Sequence, residues 1–293
     1  MMDSSAPRGE GLCDSHVHIV GDALRYPLVA DRTYTPGVAL LPDLERRAAP
    51  LGVTRFVIVQ PSFYGSDNTL LLEGLDTLAG RGRGVAVVDP ATASASHLRE
   101  LAARGVQGLR INLYSTLSGS QDRALHRAFT AMTEVARCWD WHVEVVAPAA
   151  MLAEAADLLG RSPVPVVIDH YGLPQGAAPD SAAGRRLLEL LGLPHVWMKL
   201  SAPYRVSDDA LAVRPDPAWL AAILGACADR CVWGSDWPHT PPHGLQTGAG
   251  VPLPYRDLDY AAVLDGLCTM LPSADLTAQV LRDNPARLYG FQT

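Results

Sequence analysis

Short runs rich in β-branched residues recur along the chain, at residues 12–20, 53–59, 84–88, 108–113, 141–146, 164–169, 196–200 and 231–235. Between most of them lie stretches whose apolar positions repeat at helical spacing. The pattern predicts about eight strands alternating with helices. That is the count and size of an α/β fold of the single (β/α)8 TIM-barrel type, here one domain over 1–293 with a flexible lead at 1–11; a doubly wound sheet is the alternative. Helices are expected over 96–105, opening on Ser96 as cap and closing on Gly105, and over 42–49 and 180–191. Residues 206–216 and 238–255 read as long loops. Both follow late strands, on the side where a barrel keeps its active site.

Composition narrows the partners. The chain has 293 residues, 48% of them hydrophobic, enough for one large α/β domain or two average ones. A formal net charge of -7 without any basic run argues against nucleic acid, whose phosphates require clustered Lys and Arg. Small anionic substrates stay open. Lys199 is the only lysine. Five cysteines form an odd set with no CxxC, which reads as reduced thiols. No run reaches the length of a membrane span and the first residues lack an apolar signal region. A cytoplasmic monomer or homodimer is expected.

Chemically capable side chains gather at the ends of the expected strands. His16 and His18 stand at i and i+2 of the first, so both imidazoles share a face. Ser62 follows the second, Arg110 and Glu144 lie in the fourth and fifth, His170 ends the sixth, Lys199 and Ser201 belong to the seventh, and Asp236 ends the eighth. In a barrel all these ends face one crevice. Three imidazoles and a carboxylate could hold a divalent metal or polarise a carbonyl without one, and spacing leaves both uses open.

Six motifs in order carry a resemblance: Asp14-Ser15-His16-Val17-His18, Gln60-Pro61-Ser62, Ile168-Asp169-His170-Tyr171-Gly172, Lys199-Leu200-Ser201-Ala202-Pro203-Tyr204-Arg205, Gly234-Ser235-Asp236-Trp237-Pro238-His239 and Asn284-Pro285-Ala286-Arg287-Leu288-Tyr289. Together they resemble the amidohydrolase 2 family, in particular its branch of lactonases acting on 2-pyrone-4,6-dicarboxylate. The resemblance implies a (β/α)8 barrel that hydrolyses a small anionic lactone. It makes Asp236 the base that activates water and sets His16, His18 and His170 around the lactone carbonyl. Arg110 and Arg205 would hold a substrate carboxylate, for which a guanidinium fork is suited, and Tyr26 and Ser62 would add hydrogen bonds. Where that branch carries two further arginines this chain has Thr116 and Leu173, implying a lactone with fewer or differently placed acidic groups.

The cofactor expectation is none required, or one divalent ion, zinc foremost, on His16, His18, His170 and Asp236. A strand-seven histidine and a carbamylated-lysine position are missing, which argues against a two-metal centre. The competing reading within the family is a metal-dependent decarboxylase of an unsaturated or aromatic acid, and outside it a non-catalytic binding protein. His97, His126 and His195 read as structural, Cys13 as a small core residue, and His239 and His243 as second-rank candidates on the final loop.

Overall fold

The computed structural model describes residues 11–113, 121–241 and 251–292, excluding the side chains of 121–124. Eight strands are present: β1 Leu12–Val17, β2 Val53–Val59, β3 Gly82–Ala86, β4 Val106–Asn112, β5 His142–Val146, β6 Val166–Ile168, β7 Val196–Ser201 and β8 Cys231–Gly234. Each pairs in parallel with the next. The ring is drawn shut beyond β8, where the Asp236 amide donates to the His16 carbonyl at 2.9 Å and the His18 amide to the Trp237 carbonyl at 2.8 Å. The expected (β/α)8 barrel is the observed fold.

Helices fill the crossovers: α1 Leu41–Ala48, α2 Thr69–Leu78, α3 Ala95–Ala103, α4 Gln121–Arg137, α5 Ala149–Glu154, α6 Ala156–Gly160, α7 Ala182–Leu191, α8 Pro217–Cys227, α9 Tyr260–Cys268, α10 Ala274–Ala278 and α11 Asn284–Tyr289. Most element ends fall within three residues of expectation, and two of the shifts have a visible cause. β3 starts at Gly82 rather than Gly84, because Gly82 and Arg83 pair with Phe56 and Val57 although neither adds apolar signal. The cap of α3 is Ser94, whose Oγ accepts from the His97 amide, not Ser96. Residues 1–10, Thr116 and His243 lie outside the described residues.

Alternation along each strand sorts side chains into two shells. Phe56, Ile58, Val143, Val145, Val166, Ile168, Met198 and Leu200 point outward into the main apolar core with the helices. Inward, Cys13, Val57, Val59 and Val85 pack on Tyr289 and Phe291, while Val167, Trp197 and Val232 form a second small cluster. Above that layer the interior turns polar. Arg110 is in register with Glu144 and Lys199 with Val232. β1 breaks its pairing register between Asp14 and Val17, and a bulge reverses the alternation of a strand. That is how Cys13 and His16, three residues apart, both face inward.

One close approach secures the seam. A Cβ on Gly234 would lie 2.5 Å from the His16 Cβ, so only glycine lets the end of β8 pass β1 at that height.

Candidate active site

The carboxyl ends of the strands surround a narrow cleft lined by His18, Tyr34, Ser62, Arg110, Asn112, His170, Arg205 and Thr240. Behind His18, 3.4 Å from its Nε2, lies Asp236, fully buried on the turn after β8. Asp236 and His170 both hold left-handed backbone, with φ of 58° and 54°, a conformation costing a non-glycine residue about 1–2 kcal/mol. Their position is fixed by the surrounding structure, not by local preference.

The two oxygens of Asp236 have different surroundings. Oδ2 accepts from the Tyr204 hydroxyl at 2.5 Å and from Arg205 Nε at 3.1 Å. Oδ1 stands 3.4 Å from His18 Nε2 and 3.6 Å from His16 Nε2, outside good hydrogen bonding. Burial is the largest single influence and would raise the carboxyl pKa, but the Arg205 guanidinium and the imidazoles around it together outweigh burial and hold the group well below the usual carboxylate range. Asp236 is therefore an ionised carboxylate with one oxygen saturated and one available.

The histidines are fixed from behind. His18 Nδ1 lies 2.7 Å from the Val59 carbonyl, which only accepts, so Nδ1 carries a hydrogen, while Nε2 points toward Asp236 Oδ1 at 3.4 Å. His170 Nδ1 shares a hydrogen bond of 2.8 Å with Ser201 Oγ. Behind His16 stands Lys199, its Nζ 3.1 Å from Nδ1 and in contact with Glu144, with Asp169 Oδ1 at 3.4 Å. Burial first and the Lys199 charge second push His16 well below the ordinary histidine pKa, and burial does the same for His170. Both rings are neutral.

A divalent ion can be tested against this geometry. Donors around a tetrahedral zinc at about 2.1 Å stand about 3.4 Å apart, and His16 Nε2, His18 Nε2 and Asp236 Oδ1 nearly meet that spacing. The hydrogens do not. Lys199 Nζ stands 3.1 Å from His16 Nδ1, and an ammonium donating there puts the ring hydrogen on Nε2, the atom that would have to bind metal. Asp169, His16 and His170 form the other candidate group, which also depends on His16. The residues as hydrogen-bonded here do not fit the ion.

Of the residues singled out from sequence, His16, His18, His170, Asp236, Arg110, Arg205 and Ser62 come together around the cleft. Tyr26 does not. Its hydroxyl donates to Glu73 at 2.6 Å, and its ring lies over Gly21 so closely that any Cβ there would clash with it. Tyr34 lines the cleft instead, from a loop whose mixed pattern gave no signal. Arg205 is committed at least in part to Asp236, and Arg110 donates to the Gln60 carbonyl at 3.0 Å with Glu144 and Asp169 at 3.9 and 4.0 Å. Leu173 is buried. Cys13 packs under the site with its thiol pushed up to about 12 by burial, which removes it as a nucleophile. His239 is buried beside the Asp236 turn, its amide donating to the Asp236 carbonyl at 2.7 Å.

Tyr204 and Asp169 escaped the sequence reading, although both stand next to residues that did not. Free space among the lining groups is about 30 Å³, room for about one water. A lactone ring enters only when lining side chains swing aside.

The amidohydrolase family model matches residues 13–291. A 4-sulfomuconolactone hydrolase of Rhizobium radiobacter is 30% identical over 283 residues, covering 96% of this chain and 90% of that protein. A 2-pyrone-4,6-dicarboxylate hydrolase of Comamonas testosteroni is 30% identical over 291 residues, covering 95% and 90%. Among solved structures, a probable 2-pyrone-4,6-dicarboxylic acid hydrolase of Acinetobacter baumannii with citric acid bound is 25% identical, with a TM-score of 0.77 over 96% of this chain and all of that one.

Proposed function

Because the chain belongs to the amidohydrolase family, we propose that it is a hydrolase that opens a lactone bearing an acidic group. Both named relatives act on anionic cyclic esters, one sulfonated and one dicarboxylated. The cleft offers matching chemistry: two imidazoles and two arginines line it, and the Asp236 carboxylate stands 3.4 Å from His18 beneath them.

The observation that carries the reading is the single available oxygen of Asp236. A water held between Asp236 Oδ1 and the lone pair of His18 Nε2, two acceptors 3.4 Å apart, presents its own oxygen to the lactone carbonyl. As it attacks, its proton passes to Oδ1. Negative charge grows on the carbonyl oxygen, and the His16 Nε2 hydrogen and the His170 ring stabilise it there. Collapse of the tetrahedral centre breaks the ring C–O bond, and the proton returns to the leaving oxygen. Tyr204 and Arg205 make Asp236 a weak base, so much of the barrier must be lowered at the carbonyl. Arg110 and Arg205 hold the acidic group.

Replacing Asp236 by Asn keeps shape and removes the base. Lactone opening, followed by chromatography on a panel of sulfonated and carboxylated lactones, should fall by about 10²–10⁴-fold. Full retained activity in Asp236→Asn, or carbon dioxide release in place of ring opening, would overturn the reading.

A further inference from the structure

The two histidines of the pair look equivalent in sequence, yet different groups stand behind them. Behind His18 Nδ1 is the Val59 carbonyl, a pure acceptor. Behind His16 Nδ1 is the Lys199 ammonium, a pure donor, at 3.1 Å. The alternative acceptors for a hydrogen on His16 Nδ1 are farther, Asp169 Oδ1 at 3.5 Å and Glu144 Oε1 at 3.7 Å. A hydrogen there would also point at the ammonium.

We propose that Lys199 is a positioning residue that holds the His16 hydrogen on Nε2, splitting the pair into one hydrogen-bond donor and one acceptor. His16 then turns an N–H, and His18 a lone pair, toward the Asp236 carboxylate. The lysine is itself held in place. It is fully buried on β7, touches Glu144 from β5 and lies 3.4 Å from Asp169 beyond β6. Three strands thus fix one hydrogen on a fourth. The same arrangement denies a cation the lone pair of His16. The chemical use of the split rests on the lactone reading above, where His18 orients the water and His16 stabilises the oxyanion; the split itself does not.

Nitrogen-15 NMR of the histidine rings in the substrate-free protein tests it directly, with His16→Gln and His18→Gln assigning the signals. The expected spectrum has His16 protonated at Nε2 and His18 at Nδ1. In Lys199→Met the His16 hydrogen should move to Nδ1, toward Asp169, while His18 keeps its form; Lys199→Arg, which preserves the donor, should leave both unchanged. The same tautomer on both wild-type rings, or a His16 hydrogen that stays on Nε2 in Lys199→Met, overturns the proposal. Should Lys199→Met not fold, the wild-type and Lys199→Arg spectra decide it. Because no substrate is present, failure of the lactone reading would appear separately, as absence of turnover.

Discussion

At the scale of single residues, the site divides into groups that meet substrate and groups that hold them. In the proposed reaction Arg110 is of the first kind; it reaches the cleft from β4 with only the Gln60 carbonyl within close hydrogen-bond range among the contacts given above. A hydrogen bond to a charged group is worth about 1.5–3 kcal/mol, or about 10–100-fold in binding. Arg110→Met should therefore raise KM by about that factor with a smaller change in kcat, measured in steady-state assays on the best lactone of the panel. Arg205→Met should lower kcat as well, since it also strips a donor from Asp236 Oδ2. The residues that meet in the cleft were largely legible because strand ends converge in a barrel. Tyr26 and Tyr34 were not separable, since both lie on an irregular loop where no periodicity tells which ring turns inward. That Lys199 packs near the site beside an acid was also legible, but which acids it meets, Glu144 and Asp169, was not. Its contacts depend on the heights of three strands, and sequence distance says nothing about height.

At the scale of elements, the strands were legible as apolar runs and their faces as alternation, except where a bulge intervenes. The register break in β1 turns His16 inward, and a strict two-residue period from Cys13 would have placed it on the helix side. The seam between β1 and β8 is equally sensitive. Gly234→Ala would drive a methyl into His16, and overpacking of this kind costs about 1–3 kcal/mol. Urea unfolding should show that loss together with strongly reduced turnover. Gly225 in α8 gives the contrast: an added Cβ there meets nothing within 4 Å, and Gly225→Ala should stabilise by about 0.5–1 kcal/mol without touching activity. A weakened Gly225→Ala protein would contradict this account of the helix.

At the scale of the whole molecule, the barrel buries polar groups along its axis and becomes sensitive to acid. His142, on the inner face of β5 below Glu144, has its pKa lowered from 6.5 to about 4 because burial disfavours the charged ring. Between those values the unfolded chain binds the proton and the folded one does not. The stability is fully present above pH 6.5 and is lost as pH falls toward 4, by up to about 3 kcal/mol for this residue. His142→Asn should flatten the slope of unfolding free energy between pH 6.5 and 4.5 relative to the parent; an unchanged slope would show that the ring does not titrate in this way. No helix among the described residues is long and apolar enough to cross a membrane. The seam has a consequence in time. The Ser235 amide donates to Asp14 across 221 residues of chain, and Asp236 and the His16–His18 pair, partners in the proposed reaction, belong to opposite sides of that joint. Local helices can form long before such distant segments find each other. During refolding, catalysis should be the last property to return, lagging the recovery of helical signal, because every earlier stage holds only half of the machinery.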